Sequence, residues 1–237
     1  MDQSRMKSHD DIKAEIEQIL KTKWLRRDGR TVPESSDIQL GNDAVELEGA
    51  ILYADLADST GLVTDYKDWF AAEVYKAYLK GACEIIKNNG GTITASDGDR
   101  VMAVYIGESK NSSAAKTALQ IKFLVKEIIN PALKREYPDS AFQLNQAVGV
   151  DTGKLLIART GVRGANDLVW VGRAANFAAK LCALRDGEYC SFITEDVFNK
   201  MHESSKLGGD PKRPMWEKVM WVQRGIPIYR SSWQWKP

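Results

Sequence analysis

The chain has 237 residues, enough for one well-cored domain with extensions, and its 33 basic and 32 acidic residues nearly cancel to +1. A balance of that kind gives no global field that would draw nucleic acid or a membrane surface, so neither is expected as a partner. With His9 and His202 as the only histidines, histidine-rich zinc sites are excluded and a Ser-His-Asp triad is disfavoured.

Cys83, Cys182 and Cys190 show no CxxC spacing, and three is an odd number, which fits a reducing cytoplasm. No run is long and apolar enough to span a bilayer, and the charged N-terminus lacks the apolar stretch of a signal peptide. Chemistry is therefore left to carboxylates, amides and cations.

Residues 8–24 place Ile12, Ile16, Ile19 and Leu20 at helical spacing, an amphipathic helix expected to pack on the body or on a partner chain. From Asp28 to Asn42 the chain is polar and punctuated by Gly29 and Pro33, an arm leading into the core. Residues 1–47 thus read as helix and arm, and 48–237 as the principal domain.

The apolar run from Ile51 ends in Asp55 and passes into the small polar residues Ala57, Asp58, Ser59 and Thr60. This predicts a buried strand with Tyr53 and Asp55 on one face and Leu52, Ala54 and Leu56 on the other. A buried carboxylate is costly unless it is paired or holds a metal, and free backbone N–H groups in the following turn suit an anion such as a triphosphate. By itself Asp55 is equally a capping residue for the turn.

Residues 67–88 predict a helix whose apolar face runs from Trp69 and Phe70 through Val74, Ala77, Tyr78 and Ala82 to Ile85 and Ile86, closed by Asn89-Gly90-Gly91. Asp97-Gly98 between β-formers then predicts a hairpin over 92–106 that sets Asp99 at the start of its second strand. Two carboxylates, at a strand end and at a hairpin turn, can converge on hard divalent ions. A long helix from about Ser113 to Arg135 is expected to kink or stop at Pro131.

Residues 141–151 read as a strand, and Asp151-Thr152-Gly153-Lys154 as a hairpin turn into the next one. The stretch Gly149–Lys154 is no Walker loop: three residues separate its glycines, and Leu155 stands where Ser or Thr would hold magnesium. Residues 160–167 read as a mobile glycine-rich link and 168–171 as a short strand. Gly172 opens a helix that puts Asn176 and Lys180 on one face, beside a buried flank of Phe177, Ala178 and Ala179. Trp216, Trp221, Trp233 and Trp235 accompany short strands at 217–223 and 226–230, as packing residues. The order β-α-β-β-α-β with later strands and a helix predicts an α+β sandwich of the ferredoxin-like kind.

Tyr53-Ala54-Asp55-Leu56-Ala57-Asp58-Ser59-Thr60, Gly98-Asp99 and Val171-Gly172-Arg173-Ala174-Ala175-Asn176-Phe177-Ala178-Ala179-Lys180 resemble, in order and spacing, the motifs of class III nucleotidyl cyclases. The likeness spans about Glu48 to Arg230. With Val32-Pro33 and Leu40-Gly41-Asn42-Asp43-Ala44-Val45 ahead of it, the chain is most similar to the pyrimidine cyclases of bacterial Pycsar antiphage defence.

The resemblance implies the same ferredoxin-like core, a head-to-tail homodimer with active sites between the chains, and cyclisation of UTP to cUMP. It implies two Mg²⁺ or Mn²⁺ ions per site on Asp55, the Leu56 carbonyl and Asp99, and phosphate contacts from residues 56–60. Asn176 of the opposite chain would orient the ribose. Lys180 occupies the place of an arginine that steadies charge on the transferring phosphate, and a lysine offers no planar fork. Arg224, with Lys218 behind it, is the candidate for the terminal phosphates.

Adenine recognition in this superfamily uses a lysine and an Asp or Thr at positions that are Ala95 and Val169 here, neither able to make those contacts. Tyr53, commonly Phe, would narrow the base pocket toward a pyrimidine. The cyclic product would be read by a separate effector protein. The competing readings are an adenylyl or guanylyl cyclase and a catalytically inactive nucleotide-binding or dimerisation module, for which Lys180 is the best feature. A third is a diguanylate cyclase or polymerase-like palm, whose pattern does not include the segment at 171–180.

Overall fold

The computed structural model describes residues 7–162 and 164–237. In chain order, helix α1 (His9–Lys21) and strand β1 (Leu25–Asp28) precede the long strand β2 (Asp43–Ala57) and the short helix α2 (Ser59–Asp65). Helix α3 (Asp68–Asn88) leads to the hairpin of β3 (Thr92–Asp97) and β4 (Arg100–Tyr105), followed by helix α4 (Lys110–Phe123). A π-helical segment (Leu124–Ile129) and α5 (Asn130–Glu136) continue α4 to the long strand β5 (Asn145–Val162). Next come β6 (Ala165–Val171), α6 (Arg173–Leu181), β7 (Ser191–Thr194) and α7 (Glu195–Lys200). The chain closes with the short pair β8 (Leu207–Gly208) and β9 (Arg213–Pro214), then β10 (Glu217–Trp221) and β11 (Ile226–Ser231).

The chain divides into two compact units. The larger comprises Glu48–Leu155 and Gly172–Pro237, and its sheet runs β10-β11-β7-β5-β2-β4-β3. The four strands β5-β2-β4-β3, with α3 between β2 and β3 and α4 between β4 and β5, are the expected ferredoxin-like βαββαβ core. Its hydrophobic centre follows from two periodicities. Leu52, Ala54 and Leu56 on one face of β2 and Val101, Ala103 and Tyr105 on one face of β4 are buried against Phe70, Val74, Tyr78 and Ala82 of α3. Buried Tyr105 satisfies its hydroxyl by donating to Thr117 Oγ1 at 2.9 Å. Trp69 and Ala77 instead face solvent, because the stripe of α3 that meets the sheet runs through Phe70, Val74 and Tyr78.

Pro131 is not where the long helix changes. The α-helical ladder widens into the π segment at Leu124, and Pro131 sits in the first turn of α5, where its missing N–H is harmless. Asn130 then pins the chain to the start of β5 by giving to and taking from the Leu144 backbone at 2.9 and 2.8 Å.

The predicted turn at 151–154 is absent, since β5 runs without interruption from Asn145 to Val162. Asp151 and Thr152 are buried there; Thr152 donates to the Gly49 carbonyl at 3.2 Å, so these turn-forming residues are spent on side-chain anchoring within a strand.

The smaller unit joins the segment up to Leu47 with Leu156–Val171. Within it β1 pairs in parallel with the first residues of β2, and Asn42 Nδ2 donates to the Ile19 and Thr22 carbonyls at 2.8 and 2.7 Å. Of the link expected over 160–167, residues 160–162 and 165–167 are strand, since the ends of β5 and β6 form a ladder from Leu156–Val171 to Val162–Ala165, and residue 163 lies outside the described residues. Nothing on α1 is buried, so the predicted packing of its apolar stripe on the body does not occur in the single chain; Ile16 is 53% and Leu20 80% exposed. Among the described residues no helix is long and apolar enough to cross a membrane.

Two glycines of β5 offer a test of how tightly the sheet holds α6. A Cβ on Gly149 would lie 2.2 Å from the Ala178 carbonyl oxygen and 2.5 Å from the Cys182 nitrogen, both backbone atoms of α6 and its cap. One on Gly153 meets nothing nearer than Ala174 Cβ at 3.9 Å. Gly149→Ala is expected to lower stability by about 1–3 kcal/mol through overpacking, read from urea midpoints, while Gly153→Ala stays close to wild type.

Candidate active site

The ladder between β2 and β4 builds the site. Asp55 stands opposite Arg100, and the Leu56 N–H donates to the Asp99 carbonyl at 3.2 Å, so the two aspartates meet at one end of the sheet. The turn that delivers Asp99 depends on Gly98, whose φ of +59° suits glycine. Both carboxylate-bearing residues are half-buried, and the hydrophobic partners of β2 lie on the opposite face, as its alternation predicts.

Burial, and next the neighbouring Asp99 charge, push the Asp55 carboxyl above its ordinary value; Arg185 and Arg100 pull the other way. Arg185 Nη2 lies 3.2 Å from Asp55 Oδ2, and its Nη1 donates to the Cys182 and Leu184 carbonyls, each at 2.9 Å. Tyr53, two residues before Asp55, is half-buried with the Arg100 guanidinium 5.4 Å from its ring centroid. Burial raises its hydroxyl above the ordinary range, which leaves it a neutral hydrogen-bonding group.

After Ala57 the backbone turns through Asp58 in the left-handed region, φ 59°, and enters α2. Asp58 caps that helix by accepting from the Gly61 N–H at 3.3 Å. A side chain at 61 would fall 2.7 Å from Asp58 Oδ2, so glycine is needed for the cap. The first N–H groups of α2, at Ser59 and Thr60, have no helical acceptor. A cavity of about 740 Å³ opens beside Ala57 and Asp58 and is lined also by Arg185, Lys126 and Gln146.

Asn176 and Lys180 are both exposed on α6, and neither side chain has a polar partner among the described residues. The opposite face of α6 is buried through Ala174, Ala175, Ala178 and Leu181, while Phe177 and Ala179 are only half-buried. The helix can begin where it does because Gly172 passes close to β5, where a Cβ would be 2.7 Å from the Lys154 carbonyl oxygen.

Its first residue, Arg173, is held by Asp196 and by Asp151, with Nε 3.3 Å from Asp151 Oδ2. Asp151 is fully buried and also accepts from Thr194 Oγ1 at 2.6 Å. A cation in the first turn opposes the helix dipole, and these two carboxylates offset that.

Ala95 is exposed on β3, and Val169 is 39% exposed on β6 in the smaller unit. Arg224 is exposed over the Trp221 ring, 5.9 Å to its centroid, and Lys218 is paired with Glu195 at 2.7 Å. In the single chain none of Asn176, Lys180, Arg224 and Lys218 makes a polar contact with Asp55 or Asp99 among the described residues. Burial pushes the Cys182 thiol up to about 12, so this cysteine stays protonated and is no nucleophile.

Sequence reasoning missed Arg185 and Arg100. Arg100 directly follows Asp99, but the hairpin pairs it with Asp97, and only the long-range β2–β4 ladder sets it opposite Asp55. Arg185 had no local signal, being 130 residues away along the chain.

Solved nucleotide cyclases share this architecture. The adenylyl cyclase CyaB from P. aeruginosa matches with a TM-score of 0.63 at 17% identity, over 79% of this chain and 95% of that one. A guanylyl cyclase matches with a TM-score of 0.64 at 16% identity, over 78% and 91%. The fold is therefore that of nucleotidyl cyclase catalytic domains.

No protein-family model matches the chain. Curated proteins do: a uridylate cyclase of Xanthomonas perforans is 46% identical over 96% of this chain and 97% of its own. Another of Burkholderia cepacia is 45% identical over 95% and 97%, and one of a Rhodovulum species 38% identical over 98% and 99%. The chain belongs to the uridylate cyclase family.

The buried Asp151 gives a pH test. Burial raises its carboxyl from the ordinary 3.8, against the pull of Thr194, the Thr152 N–H and Arg173. A carboxyl raised in the fold binds its proton more tightly folded than unfolded. Its contribution is therefore most favourable below the unfolded value and is lost as pH rises through the folded one. Asp151→Asn, which keeps an acceptor for Thr194, should flatten that decline. Urea midpoints of both proteins between about pH 4 and pH 7 check this; equal slopes would refute it.

Proposed function

We propose that the protein cyclises UTP to cUMP with release of pyrophosphate, within a homodimer whose two active sites each combine both chains. The observation that carries this is the meeting of Asp55 and Asp99 across the β2–β4 ladder, beside the helix start and cavity at Ala57 and Asp58. The substrate follows from the family, whose relatives at 46% and 45% identity are uridylate cyclases.

The reaction forms a bond from the ribose 3′-oxygen to the α-phosphorus and breaks the bond from that phosphorus to the bridging oxygen of pyrophosphate. Phosphoryl transfer of this kind asks little covalent chemistry of a protein and much positioning and charge neutralisation.

The donor set fits Mg²⁺ or Mn²⁺. Asp55, Asp99 and the Leu56 carbonyl are all oxygen donors, and the described residues contain no cluster of three or more acidic, histidine or cysteine ligands. Magnesium is commonly held by one or two carboxylates completed by substrate phosphates and water. When bound, two such ions make the 3′-hydroxyl more acidic and neutralise charge on the phosphates.

The backbone N–H groups of residues 57–60 then cradle phosphate oxygens; Leu56 drops out of the expected 56–60 because its N–H already donates to the Asp99 carbonyl. Asn176 of the opposite chain orients the ribose, and Lys180 steadies charge on the transferring phosphate. Arg224 reaches the terminal phosphates from that same chain. The exposure of Asn176 and Lys180, with no polar partner among the described residues, supports their serving a neighbour. Tyr53, braced by Arg100, presents its hydroxyl to the base, while Ala95 and Val169 lack the groups that read adenine. The product is a cytoplasmic messenger of antiphage defence, read by a separate effector protein.

Turnover of UTP, CTP, ATP and GTP, each alone with Mn²⁺, should favour UTP. Faster conversion of ATP or GTP would overturn the pyrimidine assignment.

The shared site makes a second prediction. Asp55→Ala and Asn176→Ala proteins should each be inactive alone, yet recover roughly a quarter of wild-type activity when mixed and allowed to exchange subunits. No recovery despite proven exchange would place both residues in one chain's site.

A further inference from the structure

We propose that Arg185 is a mobile counter-charge of the active site: it neutralises Asp55 in the empty enzyme and turns to the substrate's phosphate tail when divalent ions occupy the carboxylates. This deepens the function proposed above and rests on its reading of Asp55 and Asp99 as the ion-holding pair.

The guanidinium is half anchored and half free. Its Nη1 is fixed by the carbonyls of Cys182 and Leu184, where α6 ends, while Nη2 reaches out to Asp55 Oδ2. That contact is single-pronged and 3.2 Å long. Strong charge-assisted hydrogen bonds run to about 2.7–2.9 Å, and the best arginine–carboxylate pairs are bidentate. The Arg185 side chain is also 44% exposed. With Asp55 half-buried and Arg185 exposed, the pair rests on one long contact, and it yields to a stronger competitor for the carboxylate.

Electrostatics then gives the exchange its direction. Two adjoining carboxylates repel, and in the empty site a guanidinium is the natural compensation. Once divalent ions bind those carboxylates, the same guanidinium becomes a like-charged neighbour and is driven off. Its new position must offer negative charge within the reach of the anchored side chain.

The cavity beside Ala57 and Asp58 provides that place, because Arg185 already lines it. Two other groups there await a polar guest. Gln146 is only 5% exposed, and neither its amide oxygen nor its amide nitrogen has a partner among the described residues. Lys126 has no side-chain partner among the described residues. A planar guanidinium suits phosphate oxygens as a lysine ammonium does not. In this arrangement Arg185 grips the phosphates from the ion-holding chain, and Arg224 approaches from the other.

The test uses the intact dimer and two probes, Mn²⁺ alone and inorganic tripolyphosphate with Mg²⁺. Arg185→Gln keeps a donor for the Cys182 and Leu184 carbonyls but removes the charge. It should bind Mn²⁺ about twofold to fivefold more tightly than wild type in nucleotide-free enzyme, by electron paramagnetic resonance, because a competitor for Asp55 is gone. It should bind tripolyphosphate about tenfold more weakly by calorimetry, the scale of one charge-assisted hydrogen bond. Mn²⁺ affinity that is unchanged or weaker, or tripolyphosphate affinity that is unchanged, overturns the proposal.

Should the neutral variant unfold, Arg185→Lys retains the competing charge without the fork. Near-wild-type Mn²⁺ affinity with weakened tripolyphosphate binding is then expected, and unaltered tripolyphosphate binding overturns the proposal. Asp55→Asn is the control for the underlying reading. If it binds Mn²⁺ as wild type does, the ion-holding assignment fails, a result separable from any effect at Arg185.

Discussion

Everything at the active site depends on one backbone pairing, the antiparallel ladder between β2 and β4. It sets Asp55 against Arg100 and lets the Leu56 N–H reach the Asp99 carbonyl, so two carboxylates from distant segments share one end of a sheet. That juxtaposition opposes folding, since each charge raises the cost of the other. It is tolerated because the other face of the same strands buries Leu52, Ala54, Leu56, Val101 and Ala103 against α3, and burial of that kind dominates stability. The hydrophobic face of the β2–β4 pair thus holds its charged end in place.

A second constraint acts on α6. Its small residues bring it against β5, where Gly149 permits backbone contact, and Arg173 locks its first turn to Asp151 and Asp196. Its last turn is capped by Arg185, whose other arm holds Asp55. Its first turn and its packed face therefore hold α6 on the sheet whether or not Arg185 stays on Asp55, while its exposed face carries Asn176 and Lys180. In the proposed dimer that face serves the other chain's site, which gives the rigidity a purpose: a ribose-orienting group is useful only if its helix does not drift.

Family membership and fold answer different questions. The solved adenylyl and guanylyl cyclases, at 17% and 16% identity, establish the architecture and leave the base open. The uridylate cyclases, at 46% and 45% identity over nearly the whole chain, carry the pyrimidine reading, and Tyr53 with Ala95 and Val169 supplies a physical rationale for it.

What the sequence determined alone is what short-range physics encodes. The alternation of residues 51–56, the Asp97-Gly98 turn and the three- and four-residue spacing of α3 each operate within a few positions of the chain. They placed Asp55, Asp99 and the βαββαβ order correctly. Where one local signal competed with another, the tertiary structure decided. Asp151, Thr152 and Gly153 carry turn chemistry, yet they continue a strand in which the Thr152 hydroxyl meets the Gly49 carbonyl and the Asp151 carboxylate meets Thr194 and Arg173. Residues 160–162 and 165–167 look like parts of a link, but they pair with each other as the ends of β5 and β6. Arg185 shows the limit most plainly. Nothing near it in the chain marks it, and it reaches Asp55 only after the sheet and α6 have closed a separation of 130 residues. Contacts of that kind arise from long-range closure of the fold, and a local pattern carries no record of them.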